Sequence, residues 1–294
     1  MKNASVLIIL CCVVIVLGII VSSMGLFSAG DGQPYEFQTL RGERISIYGK
    51  GLYRYDSSFK APIFRGTDAV LLFFGIPFFI FSLIQAIRGS LRGKLILSGS
   101  LAIFLYASIS MAFGAAYNPL FLLYILEFSA SLFALIILIS SFDIPSLSAS
   151  INERLPFKRI AFFLFFAALS PLVWLMSHVN VLLNGGVPDG LATYTTDITT
   201  ALDIGVILPT VVLAGVLMLK RKPFGIVLSA LLLILLIQIG LIVAGQTLMQ
   251  ILDGIKLTAG EIVSFVAPFI TLSIISVWMT VSLLSNISEK HSNA

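Results

Sequence analysis

The sequence predicts an all-α membrane protein: a transmembrane bundle of about eight helices, with a small β-hairpin in the first loop. Of its 294 residues, 58% are hydrophobic and only 11% are charged, whereas a soluble domain carries about 25% charged residues. The apolar runs are continuous and about 20 residues long, which is the length of a membrane-spanning helix. Because lipid offers no hydrogen bonds to the backbone, these runs have to be helical.

The predicted spans fall into two halves of four. Residues 143–157 are richer in serine, proline and charge, so the predicted organisation is a first half at 1–142, a linker at 143–157 and a second half at 158–294. The predicted spans are 5–28, 67–87, 94–114, 119–141, 158–179, 197–219, 224–246 and 264–286.

The first apolar run is predicted to remain in the protein as a span. At 5–28 it is longer than the 7–15 residues of a signal-peptide core. Lys2 and the pair Ser28-Ala29 leave cleavage open as an alternative. Cleavage would leave seven spans and an N-terminus outside the cell.

Lysine and arginine predict that both termini are cytoplasmic. Basic residues are retained on the cytoplasmic side of membranes, and the clusters at 88–94, 154–159 and 220–222 all fall there when the N-terminus is inside. The first loop is the exception, because it carries six basic residues mixed with four acidic ones. The net charge of +4 thus reflects how the protein is oriented in the membrane. The predicted partners are membrane lipids, with no nucleic acid and no protein partner identified.

The first loop, 30–66, is predicted to contain a β-hairpin at 44–55. Alternating β-branched and aromatic residues flank a Gly-Lys-Gly turn at 49–51, a pattern typical of paired strands. The simpler interpretation is a lid over the helix ends, and the alternative is an element that binds a ligand or partner.

Polar side chains inside the predicted spans concentrate in the outer half of the bilayer. An ionisable group in hydrocarbon costs about 2.5–3.5 kcal/mol on insertion scales and indicates function by default. Glu127 lies eight residues after Pro119, about 12 Å into its span. Asp203 lies about 9 Å into its span, too deep to cap the helix. At Glu127 a structural carboxylate between helices is an equal alternative.

The predicted site is therefore a polar pocket with Glu127 and Asp203 at its core. Asp197 is better explained as a helix cap and His178 as an interfacial residue. One histidine with carboxylates is a poor zinc set, so no metal and no cofactor are predicted, and no catalytic residue is assigned. The candidate residues around the core are Tyr106, Thr200, Gln238, Asp68, Asp197 and His178.

Spans two and six share a pattern that would fit an internal repeat. Each has a Thr-Asp pair, at 67–68 and 196–197, and Pro77 and Pro209 each lie eleven residues before a basic hairpin. Proline-interrupted spans at corresponding places point to a transporter's binding site. Chance is the slightly favoured explanation, because proline is common within membrane helices.

Two segments carry a family resemblance. The sequences YGKGLYRYDS at 48–57 and YNPLF at 117–121 resemble those of a family of uncharacterised prokaryotic multi-pass membrane proteins, over most of the chain. The resemblance implies a prokaryotic plasma membrane and nothing about mechanism.

Three functions fit these features. The leading hypothesis is a transporter or ligand-binding membrane protein that takes a small molecule or ion. The second is a membrane enzyme acting on a lipid-linked or outer-face substrate, with the two core carboxylates as general base and stabiliser. The third is a structural or accessory subunit whose polar groups join helices. Short catalytic and nucleotide-binding motifs are absent from the sequence.

Overall fold

A computed structural model describes residues 4–188 and 190–289. All of its helices except α5, α6 and α7 are long and apolar enough to cross a membrane, so the protein is a multi-pass helical membrane protein. The helices are α1 (Ala4–Phe27), α2 (Lys60–Ile87), α3 (Leu91–Gly114), α4 (Phe121–Ser140), α5 (Ile144–Ala149), α6 (Phe157–Ala167), α7 (Leu172–Asn184), α8 (Ile198–Leu219), α9 (Pro223–Leu252) and α10 (Ala259–Ser285).

The predicted fifth span, 158–179, is wrong as a continuous helix. It consists of α6 and α7, which are separated by a turn at 168–171. Pro171 ends this turn, and its missing N–H and rigid ring disfavour an uninterrupted helix. The loop after α7 reaches the first loop of the chain, where the Tyr194 hydroxyl donates to Asp56. Together α6 and α7 therefore lead the chain from the segment 143–157 to the loop that contacts the first loop.

Three other helices extend beyond their predicted bounds. The second helix begins at Lys60 rather than 67, α9 ends at Leu252 rather than 246, and α10 begins at Ala259 rather than 264. Polar residues at these ends face neighbouring helices, as where Gln246 Nε2 donates to Thr67 Oγ1 at 2.9 Å. Hydropathy marks such residues as the end of a span, whereas the helix continues past them.

Proline explains the irregular turns of the long helices. In the described residues, α2, α8 and α10 each contain one π turn, at Leu71–Gly75, Asp203–Ile207 and Ile262–Val266. Each turn ends two residues before a proline, at 77, 209 and 268. A proline ring clashes with the carbonyl four residues earlier, and in all three helices that carbonyl belongs to the π turn. The wider turn accommodates the clash without breaking the helix.

The centre of the bundle is formed by α9 and α3. The helix α9 packs against α2, α3, α8 and α10, while α1 packs against α2 and α4. Leucine, isoleucine and phenylalanine side chains fill the space between them. The outer surfaces of α1, α8 and α10 remain apolar and exposed, as expected for helices that face lipid.

The predicted β-hairpin is present in the first loop, but its position was predicted wrongly. Its strands are β1 (Tyr35–Gln38) and β2 (Arg44–Ile47), which pair antiparallel with Tyr35 opposite Ile47. The Gly-Lys-Gly segment follows β2 instead of joining two strands. Gly49 and Gly51 have φ values of 77° and 65°, a left-handed conformation that glycine adopts readily, and they turn the chain out of the sheet.

Two ends of the bundle can now be distinguished. The hairpin face carries β1, β2, the segment 48–57 and the loop 185–197. We call the segment 48–57 the cap. The opposite face carries residues 286–289, which follow α10 and fasten the two halves of the chain. There the Glu289 carboxylate accepts hydrogen bonds from the Ser90 hydroxyl at 2.7 Å and from the N–H groups of Leu91 and Arg92. The Arg92 guanidinium donates in return to the Ile287 carbonyl at 2.7 Å.

We expect Glu289→Gln to lower the melting temperature by a few degrees. Partial burial raises the pKa of Glu289, but hydrogen bonds from Ser90, Arg92 and Leu91 outweigh it and leave the pKa below its usual range. The stabilisation is therefore present above the unfolded pKa of about 4.3 and is lost as pH falls through the lower folded value. A charge at a helix N-terminus contributes about 0.3–1 kcal/mol, and solvent screening reduces this.

The measurement is thermal unfolding in detergent at neutral and acidic pH. Glu153→Gln is the matched control, because Glu153 is exposed. Equal melting temperatures for the two variants at neutral pH would contradict a stabilising clamp at Glu289.

Candidate functional site

The predicted core residues Glu127 and Asp203 lie in separate groups. Asp203 accepts a hydrogen bond from Tyr106, which joins α8 to α3. Glu127 lies on α4 and faces Gly18 of α1. No hydrogen bond connects the two groups within residues 4–188 and 190–289. The structure thus divides the predicted pocket into a seam between α3 and α8 and a second site in the first half of the chain.

The α3–α8 seam holds the first of these groups. The Tyr106 hydroxyl donates to Asp203 Oδ1 at 2.9 Å, and both side chains are half-buried. Asp203 opens the π turn of α8, a type of turn that is frequent at functional sites. Its second oxygen, Oδ2, accepts no hydrogen bond from the described residues. The seam therefore presents a carboxylate oxygen that is free to contact a ligand.

The N-terminus of α8 continues the seam toward the hairpin face. Asp197 occupies the N-cap position, but its side chain makes no capping hydrogen bond to the backbone. Its carboxylate instead accepts the hydroxyls of Thr199 at 2.8 Å and Thr200 at 2.7 Å. Burial raises the pKa of Asp197, but the hydrogen bond from Thr200, the positive charge of Lys60 and the bond from Thr199 together lower it below its usual range. Asp197 is thus ionised at neutral pH.

A cleft of about 360 Å³ lies on the hairpin face above the seam. At its floor α3 and α8 touch, because a Cβ on Gly114 would collide with Ile198. Thr193 and Thr195 line one side. The aromatic residues that line the cleft are Tyr35, Phe37, Tyr55, Phe113 and Tyr194.

This cleft is not evident from the sequence. Its walls come from β1, the cap, the end of α3 and the loop 185–197, which are far apart in the chain. The one local signal is the alternation of Tyr35 and Phe37 in β1, which places both rings on the same side of the strand.

Asp56 holds the walls of the cleft together. Its Oδ1 accepts the N–H of Ala116 and the hydroxyl of Tyr194, both at 2.8 Å, so the cap is tied to the α3–α4 loop and to the loop 185–197. The side chain is 1% exposed. Burial raises the pKa of Asp56 to about 6, even though both hydrogen bonds and the charge of Lys60 lower it.

We expect Asp56→Asn to flatten the dependence of the melting temperature on pH. Because the folded pKa is raised, the contribution of Asp56 to stability is greatest below the unfolded pKa of about 3.9 and falls as pH rises to about 6. An asparagine Oδ1 can still accept both hydrogen bonds but does not titrate. One pKa unit corresponds to about 1.4 kcal/mol, so the effect is on the order of 2–3 kcal/mol.

Thermal unfolding of both proteins across mildly acidic pH measures this effect. Asp31→Asn, at an exposed position near the hairpin, is the control and should keep the wild-type profile. A profile for Asp56→Asn that runs parallel to the wild type would contradict the prediction.

The second group is an acidic column between α1, α2 and α4, which consists of Asp68, Glu127, Tyr53 and Tyr124. The Tyr53 hydroxyl, from the cap, donates to Asp68 Oδ2 at 2.6 Å. Asp68 was predicted to open its span, but it lies about two turns inside α2 and is 3% exposed. Glu127 is 4% exposed, and its carboxylate has no hydrogen-bond donor in the described part of the chain.

Two glycines of α1 allow the acidic column to form. A Cβ on Gly25 would collide with the Asp68 carboxylate, and a Cβ on Gly18 would lie 3.3 Å from Glu127 Oε1. The two glycines are seven residues apart, about 10.5 Å along the helix. The two carboxyl groups therefore lie against α1 at two depths.

We expect Gly25→Ala to destabilise the protein by about 1–3 kcal/mol, because the added methyl has no room beside Asp68. The matched control is Gly205→Ala, since a Cβ there meets no atom within 4 Å and alanine favours a helix over glycine. Thermal unfolding in detergent compares the two. Equal tolerance of both substitutions would contradict the close packing of α1 on Asp68.

Gln238 and His178 belong to neither group. Gln238 Nε2 reaches the Gly99 carbonyl at 3.5 Å, and its buried Oε1 has no partner among the described residues. His178 Nδ1 lies 3.0 Å from the Trp174 carbonyl one turn earlier in α7. In the part of the chain that is described, no three histidine, cysteine or acidic side chains come together as metal ligands.

Comparison with known proteins does not assign the chain to a family. No protein-family model, no curated protein and no solved structure matches it. The fold and its polar groups therefore define the class, a multi-pass helical membrane protein, and the activity has to be argued from the geometry.

Proposed function

We propose that the protein is a transporter or ligand-binding membrane protein whose ligand site lies in the α3–α8 seam. The observation that carries the proposal is the carboxylate of Asp203, which Tyr106 holds across the seam beneath the cleft. The ligand is a small molecule or ion that enters from the hairpin face.

The unused hydrogen-bonding capacity of Asp203 supports binding over a purely structural role. A carboxylate at this depth is costly, and a structural carboxylate lowers that cost by using its acceptors. Among the described residues, Asp203 uses only Oδ1, for the bond from Tyr106. A ligand that donates to Oδ2, or a cation beside it, would complete the site.

The surroundings of Asp203 also allow a ligand to enter. The π turn that begins at Asp203 contains no buried residue, and Val206 within it is 55% exposed. Local openings occur most readily where few contacts would be lost. The seam can therefore open at this turn while the centre of the bundle stays packed.

The two alternatives receive less support. A membrane enzyme with Glu127 and Asp203 at one reacting centre needs both groups within reach of one substrate atom, and they lie in separate groups. An accessory subunit would use the Tyr106–Asp203 bond only to join helices. That role does not explain the cleft or the Asp203 Oδ2 atom, which accepts no hydrogen bond from the described residues.

We further propose that the hairpin face lies outside a prokaryotic plasma membrane, with both termini in the cytoplasm. The distribution of lysine and arginine supports this orientation. The basic clusters at 88–94, 154–159 and 220–222 lie on the opposite face, where the C-terminal clamp is.

The test is a thermal-shift panel of alkali-metal ions, amino acids, sugars and nucleosides on purified protein. A compound at 100 times its dissociation constant stabilises by about 2.7 kcal/mol. We expect one compound class to raise the melting temperature of the wild type and of Asp31→Asn, but not of Asp203→Asn. Tyr106→Phe should reduce the shift, because the carboxylate loses its orienting donor.

An absence of stabilising compounds would contradict the proposal. If no compound stabilises the wild type and Asp203→Asn merely melts at a lower temperature, then Asp203 is structural and the accessory-subunit role takes its place.

A further inference from the structure

We propose that the acidic column is a proton-binding site distinct from the seam, in which Glu127 takes up a proton and the Tyr53–Asp68 hydrogen bond closes its path to the hairpin face. The reaction is the binding of one proton from solution to a carboxylate oxygen, which forms one O–H bond. No other bond changes.

The environment of Glu127 favours a neutral carboxyl group. Gly18 of α1 and the Phe104 ring of α3 lie at this point, and neither titrates. Among the described residues, Asp68 of α2 is the acidic group whose charge interacts with Glu127. A buried carboxylate without a counter-ion is costly, and it commonly becomes neutral instead.

The cations near the column are already engaged. Arg65 of α2 is the one cation that acts on Asp68 among the described residues. Its guanidinium pairs with Asp253 at 3.1 Å and donates to the Tyr48 hydroxyl at 2.9 Å. A proton is therefore the ligand that this column can accept without rearranging its neighbours.

Tyr124 provides an independent indication of a proton route. It precedes Glu127 by three residues and so lies on the same face of α4. The side chain is 1% exposed, and its hydroxyl lies beside the Tyr53 hydroxyl and the Asn118 side chain but has hydrogen-bond geometry to neither. A buried hydroxyl without a partner is rare in folded proteins, and this one lies near Asp68.

Closure of the route depends on the cap. Tyr53 is 1% exposed, and next to it the Leu52 N–H donates to the Ser28 hydroxyl at 2.7 Å. The cap also carries Asp56, which joins the walls of the cleft, and Tyr55, which lines the cleft. Movement of the cap would thus change both sites. This link between the sites rests on the proposed function, whereas the proton site does not.

The first experiment is infrared spectroscopy of the full-length protein in detergent, titrated between about pH 5 and 9, the range in which buried carboxyl groups titrate. A protonated carboxyl group gives a C=O stretch that ionised groups lack. We expect this band in the wild type at neutral pH and its loss at alkaline pH. Glu127→Gln should remove the component that titrates above pH 7, where Asp56 is already ionised, and the exposed-site control Glu153→Gln should retain that component.

Two outcomes would overturn the proposal. If the wild type lacks the band at every pH, Glu127 is ionised throughout and binds no proton. If the band is present but does not change with pH, it belongs to a permanently neutral structural group. Both are read on the wild type above pH 7, where Asp56 is ionised, so the test does not depend on the folding of a variant. The spectrum needs no ligand of the seam, so a failed thermal-shift panel leaves this result unaffected.

The closing role of Tyr53 is tested by the rate at which the same band shifts in D₂O. Tyr53→Phe removes the hydroxyl that covers Asp68, so exchange should be faster than in the wild type. Tyr117→Phe is the control, because Tyr117 is 76% exposed. Equal exchange rates in all three proteins would refute closure by Tyr53.

Discussion

The backbone of this protein has to satisfy its own hydrogen bonds wherever lipid replaces water. That constraint makes every long apolar segment a helix, and it makes each interruption local. Proline removes one donor from α2, α8 and α10, and a single π turn in each helix accommodates it. In α8 the widened turn begins at Asp203. The carboxylate of the proposed ligand site therefore stands where the helix is least regular.

The two faces of the bundle are fastened in different ways. On the opposite face, Glu289 and Arg92 join the end of the chain to the start of α3 through several short hydrogen bonds. On the hairpin face, polar bonds from the cap reach several different helices and loops, as Tyr53 does to Asp68 and Asp56 to Tyr194. A ligand at the cleft would therefore act on a face where separate segments of the chain meet.

The two membrane carboxylates differ in their surroundings, and this difference motivates two roles. Asp203 is half-buried and, among the described residues, has one donor and one oxygen without a donor, as a group that contacts a ligand needs. Glu127 is buried against glycine and phenylalanine and has no donor in the described structure. A proton can neutralise it without a cavity. Both side chains are carboxylates, so the two proposed roles, ligand contact for Asp203 and proton binding for Glu127, follow from their different environments.

The sequence by itself determined the helical membrane class, most of the apolar helices and the polar residues within them, because hydropathy is a local property. It also placed a hairpin in the first loop. Only the tertiary structure decided that Asp203 meets Tyr106 while Glu127 meets α1, that β1 pairs with β2, and that five aromatic rings form a cleft. These contacts depend on which helices become neighbours, and packing between distant segments decides that.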